Sequence, residues 1–127
     1  MFKCHWLEES QHARMDHLET LRAFSDEGRE DTDAAIDDLI ALVVAVDGLL
    51  QAQTGLDVDN FERYLGRSLG ATVERQVYAG VLAAKRYTFI ESGVTHPNFQ
   101  ELFQMVSTPA QQARVQSELG PVLASAA

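Results

Sequence analysis

At 127 residues the chain is the size of one ordinary domain, and an apolar fraction of 46% supports a core if its elements pack efficiently. Its formal charge of −9, from 19 acidic against 10 basic residues, offers no cationic surface on which a phosphate backbone releases counterions. Nucleic acids and anionic membranes are thereby excluded as expected partners.

The first segment, about residues 2–24, contains no proline or glycine and reads as a helix of about six turns, closed by the polar stretch Ser25 to Asp31 with its helix-stopping Gly28. Its start, Met1 to Trp6, leads straight into acidic residues without the apolar stretch and cleavage site of a secretory signal, so a cytoplasmic chain is expected. The one cysteine, Cys4, has no internal disulfide partner and reads as a buried or half-buried structural thiol.

A second helix is expected over 33–53, capped near Thr32-Asp33 and stopped by Thr54-Gly55. Its middle, Leu39 to Val46, is apolar on every side, yet it falls short of the roughly 20 residues that span a bilayer. A third helix is expected over 58–92, with Asp59 and Glu62 as a capping-box variant and Phe61, Leu65, Leu69, Val73, Val77, Val81, Ala84 and Ile90 as its buried face. Gly66 and Gly70, one turn apart, read as a notch where a neighbouring helix comes close. Beyond Gly93, short helices are expected over 97–106 and 109–119, opening at Pro97 and at Thr108-Pro109 and weakening at Gly120-Pro121, with a frayed tail from Ala124 to Ala127.

Three long helices with short links predict one all-α domain over 1–127, an antiparallel helical bundle. A second helix that is apolar all round has to be covered all round, and two neighbours leave part of it facing out. A homodimer, or further helices of a longer chain, is the expected cover. The helix signal from residue 2 without an N-cap favours the second of these.

The residues able to carry chemistry cluster on the first helix. Glu9 and His12 are three apart and Glu8 and His12 four apart, so either carboxylate lies beside the imidazole on one face, with His5 and Asp16 on much the same face. Carboxylate oxygen and imidazole nitrogen together suit iron, manganese or zinc. A solvated acidic face with incidental histidines is the plainer alternative. Elsewhere, Asp47 interrupts the apolar run, where a buried carboxylate has to be paired or metal-bound, although a narrow polar stripe shared with Gln51 accounts for it as well. Glu74 has no basic neighbour three or four residues away and is expected to be solvated or matched from another helix, with metal ligation as the third option. His96, in Thr95-His96-Pro97, is expected at a helix entry, and Tyr78, Tyr87 and Phe89 in a core. No nucleophile motif, phosphate-cradling loop or Cys/His zinc spacing occurs.

The string His5-Trp6-Leu7-Glu8-Glu9-Ser10-Gln11-His12-Ala13 resembles the Glu-Glu-x-x-His helices of the ferritin-like di-metal carboxylate superfamily, over about the first 20 residues. The resemblance implies a ferritin-like bundle, with Glu9 bridging and His12 ligating iron or manganese, Glu8, Asp16 and His5 nearby, and O₂ as co-substrate of a di-iron oxidoreductase. A complete site of that kind draws on a second Glu-x-x-His helix, and this chain has none. The missing ligands are expected from a two-fold copy or from helices of a longer chain. A non-catalytic helical interaction or dimerisation module is the alternative.

Overall fold

The computed structural model describes residues 2–26 and 29–123. The helix stop expected at Gly28 and the frayed tail at Ala124 to Ala127 lie outside them. Every described element is helical: α1 (Phe2–Asp26), α2 (Arg29–Leu65), α3 (Ala71–Arg86), a π-helical segment (Tyr87–Glu91), the single turn α4 (Ser92–Val94), α5 (Pro97–Val106) and α6 (Pro109–Leu123). None is long and apolar enough to cross a membrane.

The second helix does not stop at Thr54-Gly55. Thr54 is fully buried and its hydroxyl donates to the Leu50 carbonyl at 2.7 Å. Burial of Thr54 and Val58 on the same face outweighs the roughly 1 kcal/mol that Gly55 takes from helix propensity. The chain breaks instead at Gly66 and Gly70, whose φ values of +65° and +77° lie in the left-handed region that only glycine enters at little cost. The pair expected to form a packing notch inside one long helix is therefore the two corners of a turn. Glu62 closes that turn, accepting from the Ser68 hydroxyl at 3.0 Å and the Leu69 amide at 2.7 Å.

Among the described side chains of α2, Thr32, Ile36, Val43, Asp47, Thr54 and Val58 are buried, spaced by four and seven residues along one stripe. The helix packs chiefly against α3 and α6, while Ile36 lines a groove with residues of α1 and α5. Val43, Ile90 and Leu119 form the centre of the core, with Leu39, Ile40, Val46, Leu50 and Val115 packed around them. The face expected along the third helix is only partly realised, since Phe61, Leu65 and Val73 are exposed. Tyr87 and Phe89, expected in a core, are also exposed. The π-helical segment explains the change of phase. Thr88, Ser92 and Thr95 each donate a hydroxyl hydrogen bond to the carbonyl four residues back, a pattern that bends helices, and the extra residue per turn brings Ile90 inward.

His96 caps α5 through its Nδ1, which accepts from the Asn98 amide at 3.2 Å, with Pro97 at the first helical position. At the start of α6, Thr108 Oγ1 accepts from the Gln111 amide while Gln111 Oε1 accepts from the Thr108 amide, a reciprocal capping box. Gln111 also reaches Asp33 at 2.6 Å and Arg114 pairs with Asp37, so α6 runs in the same direction as α2. Helix α6 continues through Gly120 and Pro121 to Leu123, because Leu119 beside them is 1% exposed and anchors this turn in the core.

The α2–α3 hairpin is held by polar contacts across an apolar interface. Arg86 grips Asp47 with two donors, Nε to Oδ1 at 2.6 Å and Nη2 to Oδ2 at 2.8 Å, and Gln51 adds a third at 2.7 Å. Ten residues on, Lys85 meets Asp57 at 2.5 Å. Asp47 is 5% exposed and is one half of a buried ion pair, with Gln51 beside it as the polar neighbour expected one turn on. Removing one partner strands a buried charge, so Asp47→Ala is expected to lower unfolding free energy in urea by roughly 3–5 kcal/mol. Asp47→Leu combined with Arg86→Met is expected to recover most of that loss.

The Arg86 hydrogen bond holds Asp47 below its ordinary pKa of 3.8, against the upward push of burial and with help from Gln51. Folding thus lowers this pKa, and the stabilisation is complete above the unfolded value and lost as pH falls through the folded one. Acid titration of stability is expected to show this loss starting near 3.8 and extending below it, and Asp47→Asn to lack that component. The glycines differ in the same assay: Gly70→Ala, at positive φ, lowers stability by about 1–2 kcal/mol, whereas Gly80→Ala, helical and with open space at the new Cβ, raises it by about 0.5–1 kcal/mol.

Candidate metal centre on the first helix

Helix α1 carries all five residues of the expected metal site. At 100° per residue His5, Glu9, His12 and Asp16 fall within about 60° of arc, and Leu7, Leu18 and Leu21 lie about half a turn away. The carboxylate and imidazole groups therefore occupy the polar side of an amphipathic helix. His5, Glu9 and His12 are 70%, 59% and 61% exposed at their side chains, and Glu8 and Asp16 are exposed as well.

Glu9 stands between the two histidines. Its Oε1 is 3.8 Å from His5 Nε2 and its Oε2 is 3.8 Å from His12 Nδ1. Metal bonds to such donors are about 2.0–2.2 Å, so one ion can reach across either gap. Each gap nevertheless offers two donors where a protein site uses three or four. No group of three or more His, Cys, Asp or Glu side chains placed to hold one ion occurs among the described residues. The donors of the described residues do not by themselves make a complete site for iron or manganese.

The principal contact of α1 is with α5, near its C-terminal end, where Thr20 and Phe24 line an apolar groove with Ile36, Leu102 and Val106. Leu7, Met15 and Leu18 are exposed, and so is Cys4, contrary to the expectation of a buried thiol. Glu74 lies in the first turn of α3, where its charge suits the positive end of the helix, and is exposed to water. Tyr78 is half-buried and its hydroxyl donates to the Gln51 carbonyl at 3.2 Å.

Two features escape a local reading of the residues. Arg86 is the partner of Asp47, thirty-nine positions away. The adjacent cations Lys85 and Arg86, matched against Asp57 and Asp47, are the signal that was available. Glu91 closes the π-helical segment with its Oε2 buried and without a hydrogen-bond partner among the described residues. Nothing in its local sequence marks that burial.

Comparison of the chain with protein families, with curated proteins and with solved structures finds no match. The chain itself is a small all-helical bundle of several packed helices.

Exposed residues outside any network contribute little to folding. Glu9→Ala and His12→Ala are accordingly expected to change the unfolding free energy by less than about 0.5 kcal/mol in metal-free buffer.

Proposed function

We propose that this chain is a helical interaction module whose work is association with another protein surface. The observation that carries this reading is the outer face of α2, where Leu42, Leu49 and Leu56 recur every seven residues and are 62%, 70% and 55% exposed. Soluble monomers rarely leave large apolar residues in such a continuous row, because covering each one removes apolar area from water at about 25 cal/mol per Å². The inner stripe of the same helix already faces other helices of the chain, chiefly α3 and α6, so the outer row is surplus to the chain's own core. Helix α1 likewise leaves Leu7, Met15 and Leu18 exposed. Binding of an apolar dye to the native chain, at pH 7 and without denaturant, tests this reading. Binding that falls in Leu49→Glu, with helicity unchanged, supports it; a native chain that neither binds dye nor associates removes it.

A ferritin-like metal-binding role, with oxidoreductase chemistry at iron or manganese, is the second reading. What favours it is the position of Glu9, one carboxylate oxygen facing each of two imidazoles, together with the resemblance of the first helix to Glu-x-x-His helices. Further donors then have to come from a second copy or from helices of a longer chain, and a cytoplasmic setting suits the exposed thiol of Cys4. Elemental analysis of protein purified without chelator decides the matter. Stoichiometric iron or manganese that disappears in Glu9→Ala and in His12→Ala supports the metal role, and its absence from well-folded protein rejects it.

A further inference from the structure

We propose that the partner of α2 is α2 of a second copy of this chain, packed antiparallel about a two-fold axis that crosses between Leu50 and Gln51. The inference rests on the interaction-module reading and names its occupant. Asp38, Leu42, Ala45, Leu49, Ala52, Leu56, Asp59 and Arg63 follow one another by steps of four and three, the spacing of a helix–helix seam, and every one is exposed. The seam opens on Asp38 and ends on Arg63, with Asp59 one turn before that arginine.

That polarity selects both the orientation and the partner. Antiparallel pairing about the stated axis sets Asp38 against the partner's Arg63, and Arg63 against the partner's Asp38. A parallel pair sets Asp38 against the partner's Asp38 and Arg63 against the partner's Arg63, two repulsions in place of two attractions. The same axis sets Leu49 against the partner's Ala52 and Ala45 against the partner's Leu56, so that in the four central layers a large side chain meets a small one, while Leu42 faces the partner's Asp59 nearer the ends of the seam. Gly48 lies beside the seam with open space around it, which lets the backbones approach. Because one surface supplies both halves of every contact, the arrangement closes as an isologous dimer and does not propagate.

Sedimentation velocity on the full chain, carrying Cys4→Ser to prevent disulfide cross-linking, tests the proposal. A dimer is expected in the micromolar range. Leu49→Glu is expected to give a monomer of unchanged helicity, since the chain's own core does not use Leu49. Asp38→Arg and Arg63→Asp alone each weaken the dimer by about tenfold at low salt, less at high salt. An equimolar mixture of these two variants regains dimer, because each like-charged chain then faces its opposite. The weakening by each single reversal is what is specific to antiparallel pairing, because in a parallel pair like charge faces like both before and after it, and the rescue shows that the loss is one of charge and not of folding. A dimer indifferent to Leu49→Glu, or a mixture that stays monomeric, overturns the proposal. A wild-type monomer also overturns it, and apolar dye then separates the two claims: dye binding lost in Leu49→Glu leaves the interaction surface standing for a different partner, and no dye binding removes both.

Discussion

A carboxylate set into the apolar middle of a helix has to be answered by a cation, and the grip of Arg86 on Asp47 is the contact around which this bundle is organised. Isolated burial of either charge is unfavourable by several kcal/mol. The pairing therefore fixes how far α3 slides along α2 and which way it turns. Gln51 satisfies the remaining face of Asp47, and Lys85 with Asp57 repeats the motif nearer the turn. Apolar packing alone permits α3 to shift by a turn at small cost, whereas a two-donor ion pair does not. The π-helical segment begins at Tyr87, immediately after Arg86, so the register set by the pair is followed at once by a change of phase that turns Ile90 into the core.

The two sides of α2 consequently have different fates. One stripe is closed chiefly by α3 and α6, with Val43 against Ile90 and Leu119. The other keeps its leucines in water. Periodicity marks both sides as apolar, and only the placement of the returning helices separates core from surface. The same argument applies to α1, which docks chiefly by its C-terminal end against α5 and leaves Leu7, Met15 and Leu18 uncovered. Its polar side carries Glu9 between His5 and His12, close enough for either pair to meet an ion and too few to enclose one. One helix thus keeps apolar side chains in water, and the other keeps carboxylate and imidazole groups there.

Much of this architecture is written locally. The entry to α5 at His96-Pro97, the Thr108–Gln111 capping box and the absence of strands among the described residues follow from residues within four positions of one another. Boundaries that depend on distant partners are not written there. Gly55 sits inside α2 because Thr54 and Val58 are buried by other helices, and Gly66 and Gly70 form a turn because the chain has to reverse there for Arg86 to reach Asp47. Glycine weakens a helix wherever it stands, so its presence alone does not tell a stop from a tolerated interior position.

The amino-acid sequence by itself determined that the chain is helical and which residues of α1 share a face, and it left Asp47 open between a paired carboxylate and a polar stripe, since each of these depends on helical geometry and the chemistry of near neighbours. The tertiary structure alone decided that the partner is Arg86, that the Glu9–His12 face looks into water, and which row of α2 leucines stays uncovered. Those outcomes depend on where segments some forty residues apart come together, and short-range periodicity holds no information about that distance.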